Sequence, residues 1–164
     1  AIQQLVDRNT ARSGTGPGLL VGRPSLRIAV VFCMDARLDP AQLLGLRPGE
    51  AHVIRNAGGV VTDDVIRSLA VSQRKLGTTE VMLVHHTKCG MATFTDEEFW
   101  SELQEATGLR PTWAVETFRD AASDVRQSVE RVRRSPFLGD TTEVRGFVVD
   151  VDTGDLAEIL SPQP

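Results

Sequence analysis

Cys33, His86 and Cys89 are the residues whose types and spacing could do chemistry. Cys33 opens the stretch Cys33-Met34-Asp35-Ala36-Arg37, and the other two lie in His86-Thr87-Lys88-Cys89. They include the only two cysteines among 164 residues, and each motif follows a run rich in apolar, β-branched residues. Two thiolates and an imidazole suit zinc in tetrahedral geometry. Three protein ligands leave one position open, and an open position is where zinc activates water. A buried thiolate pair without a positive partner would be costly. With zinc the two thiolates neutralise the metal's charge, leaving the site less electropositive than a three-histidine one, whose bound water has a pKa of about 7. A somewhat higher value is expected here, with activity rising toward alkaline pH. A disulfide or two inert thiols are the competing readings, and the neighbouring Asp-x-Arg and His-x-x-Cys patterns favour one metal ion per chain.

Asp35 and Arg37 follow Cys33 at alternate positions, which in an extended segment places all three on one side. A carboxylate there can orient a metal-bound hydroxide or move onto the metal as a fourth ligand. Arg37 can hold it back through a bidentate pair. The bland alternative is a surface ion pair worth little. His85 precedes His86 and so points to the opposite face of its strand, toward a packing or hydrogen-bonding role. His52 reads as structural, at a surface or interface, with a proton relay as the alternative. Ala57-Gly58-Gly59 lacks the spacing of a phosphate loop. It reads as a turn whose small residues let the backbone approach the pocket.

These residues need elements to position them. Residues 27–33, 51–56, 80–85 and 143–151 read as strands, and 156–160 as an antiparallel edge strand. Helices are expected after Asp39-Pro40, ending at Gly45; after Thr62, ending at Gly77; and after the capping box at Thr95–Glu98, ending near Gly108. A longer helix is expected over 115–134, with Phe118, Ala122, Val125, Val129 and Val132 on one face. Alternating strands and helices predict an α/β, three-layer fold: a mostly parallel sheet of order 2-1-3-4 plus the antiparallel edge, with helices on both faces. Cys33 and the His86–Cys89 pair then meet at the carboxyl ends of the first and third strands, where the strand order reverses.

Residues 1–12 could form a short helix, and 13–18 (Ser-Gly-Thr-Gly-Pro-Gly) read as a linker. An arm of 1–18 packing on a partner subunit is expected, with 1–164 a single domain. Hydrophobic residues at 41% and charged residues at 24% fit a globular protein. The net charge of −4 argues against a nucleic-acid or anionic-membrane partner. No stretch is long enough to span a bilayer and no signal pattern opens the chain, so a cytoplasmic protein is expected.

Cys33-Met34-Asp35-Ala36-Arg37, Arg55-Asn56-Ala57-Gly58-Gly59 and His86-Thr87-Lys88-Cys89-Gly90 together resemble the β-class carbonic anhydrases, over nearly the whole chain. The form His85-His86-Thr87-x-Cys89-Gly90-Met91 is similar to the short, archaeal-type branch found also in actinobacteria. The resemblance implies zinc on Cys33, His86 and Cys89, and Asp35 and Arg37 as a catalytic dyad. It also implies a closed form with Asp35 on the metal, and a homodimer or tetramer with N-terminal helices wrapped around the partner. The implied reaction is hydration of CO₂ to bicarbonate. Hydrolysis of carbonyl sulfide or carbon disulfide on the same site is the alternative, and a zinc-stabilised binding module without turnover is a third reading. Two features depart from many relatives. No glutamine stands in 21–27, and Lys88 occupies a position where an acid is common, either near the thiolates or facing solvent.

Overall fold

The structure, a computed structural model, describes residues 1–160 except 13, 15, 17 and 19. Five strands form one sheet: β1 (Ile28–Cys33), β2 (Ala51–Asn56), β3 (Glu80–His86), β4 (Glu143–Val149) and β5 (Leu156–Glu158). Their order is β2-β1-β3-β4-β5, parallel except for β5, as expected. Arg27 adopts a left-handed φ of 56°, so the first strand begins at Ile28, one residue later than the expected 27–33.

The helices start and stop where local chemistry directs. In α2 (Pro40–Leu44), Asp39 accepts the amides of Ala41 and Gln42. In α3 (Asp63–Leu76), Thr62 caps the amide of Val65, and Gly77 ends the helix in the left-handed region that glycine tolerates. In α4 (Asp96–Thr107), Thr95 and Glu98 form the expected reciprocal cap. The N-terminal helix α1 (Ile2–Ala11) has no buried residue. The linker expected over 13–18 lies partly outside the described residues.

The fifth helix departs from expectation. α5 is Ala121–Arg134, not 115–134. Asp120 caps it by accepting the amide of Ser123, and the preceding stretch is irregular. Val125, Val129 and Val132 do form its buried stripe, whereas Phe118 is buried from outside the helix.

Two apolar clusters sandwich the sheet. Ala29, Val31, Val81 and Leu83 point toward Val65 and Leu69 of α3 and Val125, Val129 and Val132 of α5. Val30, Phe32 and Val84 point the other way, toward Leu38, Met91, Phe118 and the leucines of α2. Helices therefore cover both faces, but unequally. α5 crosses β4 at Gly146, where a Cβ would lie 2.2 Å from Val125 Cγ1. Glycine is needed there for close approach. No helix among the described residues is long and apolar enough to cross a membrane.

Candidate metal centre

β1 ends at Cys33 and β3 at His86, on neighbouring parallel strands, and the turn after β3 brings Cys89 back beside them. The ligand atoms of Cys33, His86 and Cys89 all lie within 4.8 Å of one another, and all three residues are buried. The two sulfurs are 4.0 Å apart. Zinc–sulfur bonds of about 2.3 Å at tetrahedral angles put sulfurs about 3.8 Å apart, so the spacing fits such an ion. His86 Nδ1 lies 2.9 Å from the carbonyl of Thr87. A carbonyl only accepts, so Nδ1 carries the proton and Nε2 presents its lone pair. Nε2 is buried and has no hydrogen-bond partner. An orphaned acceptor beside two thiols is what a bound cation would satisfy.

The two thiols lie within hydrogen-bond reach of each other. The Cys89 thiol hydrogen-bonds to Cys33 and lowers the Cys33 pKa to about 4, while that same bond and burial push Cys89 up. A metal ion would take the place of that hydrogen bond.

The segment after Cys33 is held by polar bonds from three directions. Asp35 is drawn to Arg37 by a tight turn rather than by strand alternation. Its Oδ1 accepts the amide and Nε of Arg37, both at 3.0 Å, and its Oδ2 accepts Nη2 at 2.8 Å. The Arg37 guanidinium holds the Asp35 carboxyl well below the usual carboxylate range. Asp35 Oδ2 lies 3.8 Å from His86 Nε2, so the carboxylate borders the cluster. Arg37 Nη2 also donates to the carbonyl of Lys88 at 3.1 Å, tying the two motif loops together.

Arg55 supplies a clamp that the motif reading missed. From β2 its Nε donates to the Cys33 carbonyl at 2.9 Å and its Nη2 to the Asp35 carbonyl at 2.8 Å. The amide of Met34 donates to the carbonyl of Asn56 between them. Arg55 stood in the Arg55–Gly59 motif, but nothing in the sequence showed that its partners would be carbonyls. The turn Ala57–Gly59 approaches as expected: a Cβ on Gly59 would lie 2.9 Å from the Cys33 nitrogen.

The remaining candidates lie apart from the cluster. His85 is on the opposite face, its Nε2 2.6 Å from Asp124 Oδ2 and its ring against Phe118. His52 is spanned by Ser72 and the carbonyl of Gly22, in a structural bridge at the β2 edge. Lys88 pairs with Asp152 at the exposed surface, and its ammonium is committed there. A cavity of about 520 Å³ opens from Cys33, Asp35 and Cys89 and is walled mainly by Met91, Phe94, Phe99 and Trp113.

Fold and cluster together define an α/β protein with a buried three-residue set able to hold a metal ion. Comparison with known proteins narrows this. The sequence model of the carbonic anhydrase family matches residues 28–156. Beta-carbonic anhydrase 1 of Mycobacterium tuberculosis is 61% identical over 136 residues, covering 83% of each chain. A carbon disulfide hydrolase of Acidianus is 33% identical over 152 residues, covering 77% of this chain and 74% of its own. Among solved structures, the carbonic anhydrase of Streptococcus mutans superposes with a TM-score of 0.90 at 39% identity, covering 97% of both chains. The chain belongs to the carbonic anhydrase family, in its β class. Membership of an enzyme family sets aside the reading of a binding module without turnover.

Proposed function

We propose that the protein catalyses the reversible hydration of carbon dioxide to bicarbonate and a proton, with one zinc ion held by Cys33, His86 and Cys89. The observation that carries this is the buried three-ligand cluster beside a carboxylate that Arg37 grips at both oxygens. Zinc would supply a Lewis acid that makes water nucleophilic near neutral pH. Asp35 Oδ2 accepts a hydrogen bond from the attacking water and orients it. Arg37 keeps Asp35 ionised and restrains it from becoming a fourth ligand. The apolar walls hold the substrate and exclude bulk water, and the product proton passes to buffer.

Stopped-flow CO₂ hydration on zinc-loaded protein tests this. The rate should climb from mildly acidic to alkaline pH. Asp35 stays ionised throughout, because its pKa is held low, so the climb is not its titration. Asp35→Asn should lower kcat about 100-fold with zinc content unchanged. Absence of CO₂ hydration at alkaline pH, with zinc bound, would overturn the reading.

A second reading keeps site and metal but takes carbonyl sulfide or carbon disulfide. It is favoured by the relatives named carbon disulfide hydrolase and by a cavity much roomier than a triatomic molecule needs. Sulfide release measured beside CO₂ hydration separates the two.

We further infer that residues 1–164 act as one domain and that the 1–18 arm packs on a partner copy in a homodimer or tetramer. Ile2, Leu5 and Val6 are exposed on α1, which buries nothing of its own chain. Removing 1–18 should then lower the oligomeric state seen by light scattering. A reducing compartment such as the cytoplasm would keep both cysteines reduced and free to ligate.

A further inference from the structure

The outer wall of the cavity is formed in part by Trp113, Ala114 and Val115, in a segment with no helix or strand of its own. Backbone amides in such a segment need acceptors from elsewhere. Three consecutive ones end on a single side chain. Asp96 Oδ2 accepts the amides of Val115 and Glu116 at 3.2 Å each, and Oδ1 accepts that of Thr117 at 2.9 Å. The Thr117 hydroxyl also donates to Oδ1. Four donors fill the capacity of one carboxylate. Burial raises its pKa, but the donors outweigh that and hold it below the ordinary range.

Asp96 is not needed as a helix cap, since Thr95 and Glu98 already close the start of α4. Its bonds instead hold the wall in a conformation it would not adopt unaided. Glu116 sits at a left-handed φ of 63°, a costly conformation for a residue with a side chain. The indole N–H of Trp100 adds a tie to the carbonyl of Trp113 at 3.1 Å. Phe99 of α4 then faces Trp113 at 6.5 Å between ring centres. The strap thereby sets how far the aromatic wall stands from Cys33, Asp35 and Cys89.

We propose that Asp96 is a specificity-determining positioning residue, fixing the aromatic wall and with it how the cavity discriminates between a narrow linear apolar substrate and its wider sulfur analogues. This rests on the reaction assigned above. None of the bonds of Asp96 reaches the cluster or the Asp35–Arg37 pair, so selectivity and chemistry are carried by separate elements.

Asp96→Asn replaces one acceptor oxygen with an NH₂ group and strands at least one of the three backbone amides. In zinc-loaded protein, kcat for CO₂ should stay within about twofold, because the reacting groups are untouched. The ratio of kcat/KM for CO₂ to that for carbonyl sulfide should change by roughly threefold or more. Both tryptophans of the chain, Trp100 and Trp113, belong to this wall unit. Their emission should shift to the red, and acrylamide should quench it more strongly. Thr117→Val removes only the hydroxyl donor and should move each readout in the same direction by less, which keeps the test open if Asp96→Asn folds poorly. An unchanged substrate ratio in both variants overturns the proposal, even if thermal stability falls. Wild-type protein that turns over neither substrate would refute the assigned reaction, and unchanged emission in both variants would then separately refute the placing of the wall by Asp96.

Discussion

On the face covered by α3 and α5, the sheet meets a continuous apolar layer in which Leu69, Leu83 and Val125 are wholly buried. On the opposite face the backbone around Cys33 is gripped by single polar groups: two guanidiniums, the carbonyl of Asn56 and the bare peptide of Gly59. Burial is additive and tolerant, because many small contacts share it. Directional bonds are few, and each fixes a different atom. The first face should therefore respond to substitution in stability, with chemistry preserved. The polar grips around Cys33 should respond in chemistry, with stability largely preserved. β3 embodies the contrast, since His85 serves one face through Asp124 while the neighbouring His86 presents its free nitrogen to the other.

The largest effect is expected at the ligands. Cys89→Ser should abolish stoichiometric zinc by atomic absorption and lower CO₂ hydration by more than the roughly 100-fold typical of outer partners. Leu69→Ala, on the helix-covered face, should cost about 2–5 kcal/mol in denaturant unfolding. Its turnover per folded molecule should be unchanged. A loss of turnover there would break the division between faces.

Arg55→Gln should lower kcat about tenfold, within the range for groups that orient metal ligands. Zinc should remain bound, with a changed visible spectrum in the cobalt-substituted protein as the Cys33–Asp35 turn slackens. An unaltered spectrum would show that Arg37 alone suffices. The smallest effect is expected at Lys88→Gln, which removes an exposed pair with Asp152 worth about 0–1 kcal/mol. Its pH–rate profile should overlay that of the parent. A shift would mean that the charge is felt at the thiolates.

Much of this was legible in the sequence because it is local. Apolar runs marked the strands, Asp39, Thr62 and Thr95 marked helix starts, and alternation separated His85 from His86. The convergence of Cys33 with His86 and Cys89 followed from strand order. What stayed hidden depends on partners distant in sequence. Residues 115–117 take their form from Asp96, 19 to 21 positions earlier. Phe118 mimicked the first step of a helical stripe, yet its amide donates to the carbonyl of Met91. Arg55 contacts carbonyls 20 and 22 residues away, and carbonyls carry no side-chain signature to read.

The paired histidines of β3 have a consequence for how that strand finds its alignment. Val81, Met82, Leu83 and Val84 are apolar on both faces, so a slip by one residue would leave the interior greasy and still offer an imidazole to the cysteines. Hydrophobic alternation cannot veto such a mistake. The veto must come from the strand's ends. Thr79 and Glu80 donate to the carbonyl of Arg27, Thr142 donates to that of Thr79, and Thr87 donates to that of Val149. Backbone amides at the two ends of the strand thus choose which of two identical side chains becomes the ligand.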